Sequence, residues 1–349
     1  MKILFIGGTG TISTAISRRV LDLGWELYLL NRGNRNCRAG LEGSPGKLVE
    51  ISCDIRAESA EDIRLKIKAA AGDNARFDSV ADFIAFTKDH VEKDYNIFRG
   101  ICNQFIFISS ASAYQKPPSS YLITESTPLA NPFWQYSRDK IACEEFLMMK
   151  YRENGFPVTI VRPSHTYDER SVPLGVHGSN GSWQVLKRML EGRQVIIHGD
   201  GTSLWTMTAA SDFARAFTGI MGNIHAIGES VQITSDETLS WNQIYQAIAN
   251  ALGKPLKAVH VASEFLAQAG PDYDYVGGLT GDKGVSVVFD NAKLKRLVPE
   301  FCAQIRFDQG IKETIDHILA NPALQEADPE FDEFCDKVIA AQEQALKTF

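Results

Sequence analysis

A glycine-rich turn at residues 7–10 most constrains the fold of this chain, because an apolar run precedes it and a helical pattern follows it. The apolar run, residues 3–6, is too short for the hydrophobic core of a signal peptide and predicts a buried strand. Residues 11–23 carry apolar side chains at helical spacing, and Gly24 ends the pattern. A strand, a glycine turn and a helix in this order predict a site where N–H groups at a helix N-terminus bind a pyrophosphate.

Short apolar runs alternate with helical patterns through the first half of the chain. We predict strands at residues 3–6, 27–30, 48–52, 80–84, 105–108 and 158–161, and helices at residues 11–23, 60–70 and 135–151. Strands that are apolar on both faces are typical of a parallel sheet covered by helices on both sides. Right-handed crossovers then predict an α/β fold with a doubly wound parallel sheet of the Rossmann type.

The second half of the chain lacks this alternation and begins with a stretch rich in Gly, Ser and Pro. We therefore predict a dinucleotide-binding domain at residues 1–165, with returning segments near residues 207–235. Residues 166–349 are predicted to form mainly a smaller α/β substrate-binding lobe and C-terminal helices. The glycine-containing stretch at residues 273–283 predicts a mobile loop, which is either a substrate lid or an ordinary surface loop.

Composition limits the possible function classes. The chain has 349 residues, with 36 Lys and Arg against 43 Asp and Glu, which gives a net charge of −7. This charge argues against general binding to a phosphate backbone, so we predict no nucleic-acid partner. No apolar run approaches the ~18 residues of a membrane-spanning helix, and we predict no membrane association. The spacing of the six cysteines excludes a zinc ribbon, predicts no metal site and favours a reducing, cytoplasmic location.

The residues after the second predicted strand distinguish between dinucleotide cofactors. An acidic residue there would bind the ribose 2′-hydroxyl and repel a 2′-phosphate. The chain has Asn31 and Arg32 instead, followed closely by Arg35 and Arg38. Guanidinium groups bind phosphate bidentately, so these residues favour NADP over NAD. A solvated basic loop that contacts no ligand is the alternative.

A second set of reactive side chains follows the fifth predicted strand. Ser109, Ser110 and Ser112 lie at the carboxyl end of that strand, where ligands bind in such sheets. Tyr136 and Lys140 are four residues apart near a helix start, so they share one helical face. A nearby ammonium lowers the pKa of a phenol. We therefore predict that Tyr136 exchanges a proton with a substrate hydroxyl while a hydride moves to or from a nicotinamide.

Taken in order, the glycine turn, the serine-rich strand end, Tyr136 with Lys140, and the segment 161–163 (Val-Arg-Pro) resemble a known superfamily. The chain resembles the extended short-chain dehydrogenases/reductases, specifically the NAD-dependent epimerase/dehydratase family, over nearly its whole length. The resemblance implies that Ser110 hydrogen-bonds the reacting substrate oxygen and that Ser112 assists proton transfer. It implies that Tyr136 is the acid/base and that Lys140 holds the nicotinamide ribose and tunes the tyrosine.

The same resemblance completes the set of expected contacts. The predicted cofactor-binding residues are Gly7, Gly10, Thr11, Ile12, Asn31, Arg32, Arg35, Asp54, Ile55, Ile84, Ala85, Lys140 and Pro163. Asp54 would lie near the adenine, with an aspartate used only in a turn as the alternative. A homodimer through the helix that carries Tyr136 is common in the family, and the apolar Phe146 and Leu147 on that helix are compatible with it.

The chain departs from the family pattern at two positions. Nucleotide-sugar epimerases usually have an asparagine shortly after the Arg-Pro strand end, and an arginine after a Gly-Asp-Gly turn that binds the substrate pyrophosphate. Here these positions hold His165 and Trp205, and an indole cannot replace a guanidinium on phosphate. Trp205 therefore either stacks on a sugar ring or belongs to the core, and His165 is a substrate contact, a second acid/base or a structural histidine. Lys187, Arg188 and Arg193 either contact phosphate or form a solvated helix face.

The predicted function is NAD(P)-dependent oxidoreductase or epimerase chemistry at a hydroxyl or carbonyl of a sugar-like small molecule. One alternative is net NADP-dependent reduction of a non-nucleotide carbonyl substrate. Another is a non-catalytic dinucleotide- or RNA-binding module, which the retained Tyr136 and Lys140 and the negative net charge argue against. Dehydratases usually carry an acidic residue beside the catalytic serine, and Ala111 and Ser112 at those places make dehydration the least favoured reaction.

Overall fold

Strands and helices alternate along the first half of the chain, as the sequence pattern predicts. The computed structural model describes residues 1–33, 41 and 43–348. The strands are β1 (Lys2–Ile6), β2 (Glu26–Asn31), β3 (Lys47–Ser52), β4 (Ser79–Asp82), β5 (Phe105–Ile108), β6 (Leu122–Ile123), β7 (Val158–Pro163), β8 (His165–Tyr167), β9 (Val195–His198), β10 (Leu204–Trp205), β11 (Met207–Ala209), β12 (Ser230–Ile233), β13 (Leu239–Ser240), β14 (Ala258–Val261) and β15 (Val288–Phe289). The helices are α1 (Thr11–Asp22), α2 (Ala60–Ala71), α3 (Lys88–Phe98), α4 (Gln135–Asn154), α5 (Trp183–Leu190), α6 (Ala210–Ile220), α7 (Trp241–Ala251), α8 (Ser263–Ala269), α9 (Ala292–Leu297), α10 (Phe307–Ala320) and α11 (Pro329–Lys347).

Seven parallel strands form the central sheet, in the order β12-β7-β5-β4-β1-β2-β3. Every residue of β4 and β5 is buried: β5 is apolar throughout, as expected for a strand covered on both faces, whereas β4 begins and ends with the polar Ser79 and Asp82. The predicted α/β fold with a doubly wound parallel sheet is therefore confirmed. Strand order reverses direction between β1 and β4, and ligands bind at such a point, outside the carboxyl ends of the strands.

Segments from the second half of the chain complete the central sheet and its helical layer. Strand β12 pairs with β7, and helix α6 packs against α1. Shorter strand pairs, β9 with β14 and β10 with β13, lie outside the central sheet. The division into residues 1–165 and 166–349 stays a prediction.

Helix α4 packs against α3 and buries its apolar face in the subunit core. Phe146 is 7% exposed and Leu147 is fully buried, so both side chains are used within the subunit. The expectation that these two residues support a dimer contact is wrong, because neither is available to a partner. The homodimer itself stays a prediction.

The stretch predicted as a mobile loop is helical instead. A π-helix spans Val276–Lys283 and packs on the start of α4. Gly277 lies so close to Trp134 that an added Cβ would be 2.1 Å from the ring Cδ1. The indole Nε1 of Trp134 donates a hydrogen bond to Asp274 Oδ2 at 2.8 Å. Gly277 and Gly281, which suggested a loop, instead allow close packing against the residues before α4. Over the residues that the structure describes, no helix has both the length and the apolar character to cross a bilayer.

Candidate active site

A cleft of about 650 Å³ opens at the carboxyl ends of β1, β2 and β4. The turn between β1 and α1 forms one wall of the cleft. Gly7 has φ +80° and lies against Ile84, where an added Cβ would be 2.5 Å from Cγ2. Gly10 caps α1, and its N–H donates to Ser13 Oγ at 2.8 Å. The N-terminus of α1 has no side-chain cap from Gly10, so its first N–H groups suit an anion, and a dinucleotide pyrophosphate fits this turn.

Most of the predicted cofactor-binding residues line this cleft. They are Gly7, Gly10, Thr11, Ile12, Asn31, Arg32, Asp54, Ile55 and Ile84. Ala85 is buried next to Ile84, and Pro163 lines a neighbouring cavity instead. Arg35 and Arg38 lie outside the described residues.

The end of β2 carries no acidic group toward the cleft. Asn31 Oδ1 accepts a hydrogen bond from Gly8 N at 3.2 Å, which ties the strand end to the glycine turn. Arg32 is exposed and lines the cleft. Asp54 Oδ1 accepts from the backbone N–H groups of Arg56 and Ala57 at 3.0 and 3.2 Å, so its side chain also shapes its own turn.

A second cavity of about 250 Å³ lies beyond the carboxyl end of β5. Its walls are Ser110, Ala111, Ser112, Trp134, Tyr136, Pro163, Ser164, His165, Trp205, Asp282 and Lys283. The predicted catalytic and substrate-contacting residues therefore surround one cavity, with Lys140 just behind it. Trp134 was not predicted, and Asp282 and Lys283 were covered only by the stretch 273–283, for which a substrate lid was one of two alternatives. Their positions depend on how later segments return to α4, which no local pattern indicates.

Lys140 connects the two cavities. Its buried Nζ donates to the carbonyl oxygens of Ala85 and Ile108, both at 2.7 Å, and Ile108 also lines the cofactor cleft. An ammonium has three N–H donors, so one more can bind a ligand. Burial lowers the pKa of Lys140 to about 8. Its Nζ lies 5.7 Å from the centre of the Tyr136 ring.

The phenol of Tyr136 behaves differently from the prediction. Burial raises its pKa, and the side chain of Ser110 opposes this rise. The lowering expected from Lys140 does not outweigh burial in this structure, because that ammonium donates to two carbonyl oxygens and lies 5.7 Å from the centre of the ring. A phenol with a raised pKa keeps its proton at neutral pH, and this is the form that protonates a carbonyl oxygen.

A chain of hydroxyls supports Ser110. Ser112 Oγ lies 2.9 Å from Ser110 Oγ and accepts a hydrogen bond from Ser137 Oγ at 2.8 Å. Asn131 Nδ2 donates to the carbonyl oxygens of Ser112 and Gly281, at 2.9 and 2.7 Å. Neither Asn131 nor Ser137 was predicted from the sequence. The second of them directly follows Tyr136, which was the only signal available.

His165 and Trp205 both contribute buried polar atoms to the region of the cavity. Burial lowers the pKa of His165 to about 3, which favours the neutral ring and disfavours a role as a proton donor. Trp205 is 3% exposed and belongs to a core cluster, so it is both a core residue and a wall of the cavity. His165 Nδ1 and Trp205 Nε1 are buried and find no hydrogen-bond partner among the described residues.

Lys283 brings a cation to the cavity wall. Its Nζ lies 3.9 Å from Asp282 Oδ2, and burial lowers its pKa. His198 Nε2, Ser203 Oγ and Trp241 Nε1 lie 3.2, 3.4 and 3.2 Å from its carbonyl oxygen. Three side chains from separate elements therefore fix the backbone of the residue that carries this cation.

The segment that carries the glycine turn, Ser110, Tyr136 and Lys140 matches a known protein family. The family model described as the NAD dependent epimerase/dehydratase family matches residues 3–233. The chain belongs to this family. The resemblance drawn from the glycine turn, the serine-rich strand end and the Tyr136–Lys140 pair is thereby confirmed. In this family member, no group of three His, Cys, Asp or Glu side chains within the described ranges could hold a metal ion.

Relatives within and around the family cover most of the chain. The 2′-dehydrokanamycin reductase of Streptomyces kanamyceticus is 25% identical over 302 residues, which are 86% of this chain and 80% of the relative. A putative UDP-glucose 4-epimerase of Methanocaldococcus jannaschii is 26% identical over 274 residues, 74% of this chain and 85% of the relative. The structure of a UDP-glucuronic acid 4-epimerase from Bacillus cereus, in complex with UDP-glucuronic acid and NAD, superposes with a TM-score of 0.70 at 18% identity. That match covers 92% of this chain and 99% of the other. At this identity the structural match supports the fold alone.

Proposed function

We propose that this protein is an NADP-preferring oxidoreductase or epimerase that acts on a hydroxyl or carbonyl group of a sugar-like small molecule. One observation carries the proposal. Ser110 and Tyr136 face a cavity beyond the end of β5, and Lys140 joins this cavity to the dinucleotide cleft through the carbonyl oxygen of Ile108. The names of the two curated relatives indicate net reduction and epimerisation as the reaction types to separate.

The residues around the larger cleft would hold the cofactor. The glycine turn and the N-terminus of α1 suit its pyrophosphate, and Lys140 has one N–H donor to offer a ribose hydroxyl. Arg32 at the end of β2, with no acidic neighbour on that strand end, supports a 2′-phosphate. The bound nicotinamide would supply or accept the hydride.

The chain's own residues move the proton. In reduction, Tyr136 donates its phenolic proton to the substrate oxygen, while Ser110 orients that oxygen by a hydrogen bond. Ser112 and Ser137 hold Ser110 in place. The positive charge of Lys140 stabilises the phenolate that remains. In oxidation the same groups act in reverse.

The smaller cavity indicates the substrate class. Its volume of about 250 Å³ lies below the ~300–1,000 Å³ typical of clefts that enclose drug-sized ligands. Trp134 and Trp205 offer aromatic surface to the apolar face of a sugar ring. The unpartnered His165 Nδ1 and Trp205 Nε1 suit substrate hydroxyls once a ligand or a side-chain adjustment exposes them. A compact hydroxylated ring fits this wall better than a nucleoside diphosphate.

Two measurements test the proposal. Mass spectrometry of nucleotide released on denaturation separates the reaction types. Tightly retained NAD indicates an epimerase that keeps its cofactor and contradicts the NADP preference. An empty protein that binds NADPH indicates a reductase. In the second measurement, Tyr136→Phe should abolish NADPH-dependent reduction of keto-sugars while NADPH binding is preserved. Tyr121→Phe, at a tyrosine that is 64% exposed, is the matched control and should stay active. Full activity of Tyr136→Phe would refute the mechanism.

The assembly and the location of the protein can also be proposed. We propose a homodimer in the cytoplasm with a small-molecule partner and no nucleic-acid partner, supported by the family and by the net charge of −7. Sedimentation equilibrium tests the dimer, and filter binding to RNA at low salt tests the absence of a nucleic-acid partner.

A further inference from the structure

A partly buried guanidinium with two buried carboxyl groups lies beside the cofactor cleft. Arg56, which lines the cleft after β3, places Nη2 2.6 Å from Asp82 Oδ2 and Nη1 2.9 Å from Asp94 Oδ1. Both carboxyl side chains are fully buried, and the arginine side chain is 20% exposed. Asp82 ends β4 and Asp94 lies on α3, so one arginine joins three segments. None of these residues was singled out from the sequence.

The triad of Arg56, Asp82 and Asp94 is connected to a carbonyl group that accepts a hydrogen bond from the Lys140 ammonium. Asp82 Oδ1 accepts a hydrogen bond from Ile84 N at 2.6 Å and so fixes the first turn after β4. The next residue, Ala85, provides one of the two carbonyl oxygens that bind Lys140 Nζ. The link from Arg56 to Lys140 therefore runs through Asp82 and two residues of backbone.

The two carboxyl groups of the triad are not equivalent. The pKa of Asp94 is raised well above its usual range, first by burial and then by Asp82. Two carboxyls on one guanidinium cannot both keep a full charge without cost, so the raised pKa of Asp94 favours its protonated form. Burial is the main influence on Lys140 and lowers its pKa to about 8. Asp82 opposes this lowering. The titratable and charged groups around Lys140 are Asp82 on β4, Tyr136, Cys143 and Glu144 on its own helix, His90 on α3, and Arg56.

We propose that Asp82 is a positioning residue for Lys140: it fixes the loop that supplies the Ala85 carbonyl, and it places a carboxyl group near the buried ammonium. Arg56 holds Asp82 in this place, and Asp94 completes the contacts of Arg56. The inference rests on the proposed function only where it makes Lys140 catalytic. The contacts themselves do not depend on the substrate.

The test compares two nearly isosteric substitutions on one arginine. Asp82→Asn removes the carboxylate, whereas Asp94→Asn imitates the protonated acid. The readout is the pH titration of the Lys140 signal in protein labelled with ¹³Cε-lysine, with Lys140→Met to assign the resonance. Asp82→Asn should lower the pKa of Lys140 by roughly one pH unit, in line with the loss of a nearby opposite charge. Asp94→Asn should change the pKa of Lys140 by no more than a few tenths of a pH unit.

The direction of the shift separates positioning from general loosening. A loosened core would admit water and raise the pKa of Lys140 toward its ordinary value, opposite to the expected change. If Asp82→Asn does not fold, Asp82→Ser replaces it, because a serine hydroxyl can still accept the Ile84 N–H. An unchanged or raised pKa in a folded Asp82 variant, or equal shifts in the Asp82 and Asp94 variants, would overturn the inference. The titration uses no substrate, so failure of the proposed function, seen as an active Tyr136→Phe, is a separate result.

Discussion

Replacing Glu144 by alanine should destabilise the protein by removing the partner of a buried arginine. The Glu144 and Arg162 side chains are 4% and 5% exposed. Arg162 Nε donates to Glu144 Oε1 at 2.9 Å and Nη2 donates to Oε2 at 2.5 Å. Ser109 Oγ donates to the same carboxylate. Breaking a buried ion pair by removing one partner costs ~3–5 kcal/mol, because an unpaired charge stays buried.

The expected change in melting temperature follows from the chain length. Unfolding gains ~2.1 cal/mol/K per residue, which for 349 residues is ~0.7 kcal/mol/K. A loss of about 4 kcal/mol therefore lowers Tm by roughly 5–6 °C. Differential scanning calorimetry measures this shift, and urea denaturation gives the free energy of unfolding independently.

The adjacent Glu145 provides a matched control, because it is exposed on the same helix. Glu145→Ala should change the free energy of unfolding by no more than ~0.5 kcal/mol. The reasoning is refuted if Glu144→Ala melts within a degree of the wild-type protein, or if the two alanine variants lose the same stability.

Three further outcomes are expected. Lys140 is charged in both states below pH 8, and between pH 8 and its unfolded value of 10.5 only the folded form loses the proton. The stability of the wild type relative to Lys140→Met should therefore rise across that window, by up to roughly 3 kcal/mol, in calorimetry at several pH values. Arg32→Ala should weaken NADP binding about tenfold and leave NAD binding within twofold in fluorescence titrations, and equal losses would exclude a 2′-phosphate contact. Trp205→Phe should raise the substrate KM about threefold at unchanged kcat, and an unchanged KM would assign this indole to the core alone.

Local patterns predict six of the seven strands of the central sheet, because short runs of mainly apolar residues mark them. The seventh strand, β12, carries the polar Ser230 and Gln232 and was not predicted. Local patterns also predict the pairing of Tyr136 with Lys140, since spacing on one helix is a local property. Helix α3 was not predicted, because its buried face has few apolar residues and includes the polar Asp94. The sequence pattern also misassigned the segment around Gly277, where glycine permits contact with a distant tryptophan instead of flexibility.

Long-range charge pairing was equally invisible in the sequence. Arg188 neither contacts phosphate nor lies on a solvated face, because its buried guanidinium pairs with Asp332 at 2.7 Å and Asp336 at 2.9 Å. The partners lie more than 140 residues later, on α11. Arg56 and Lys283 were not predicted as site residues either, because their positions depend on contacts between segments that are far apart in the sequence.

The fixed backbone at Lys283 has a consequence for how this protein can evolve. Its carbonyl is held by His198, Ser203 and Trp241, whereas Ser110 belongs to the segment after β5, and Tyr136 and Lys140 belong to α4. A change of side chain at position 283 alters the charge of the cavity wall without moving the main chain that carries it. Substitution at this single position can therefore change the charge that the cavity presents to a ligand while Ser110, Tyr136 and Lys140 keep their places.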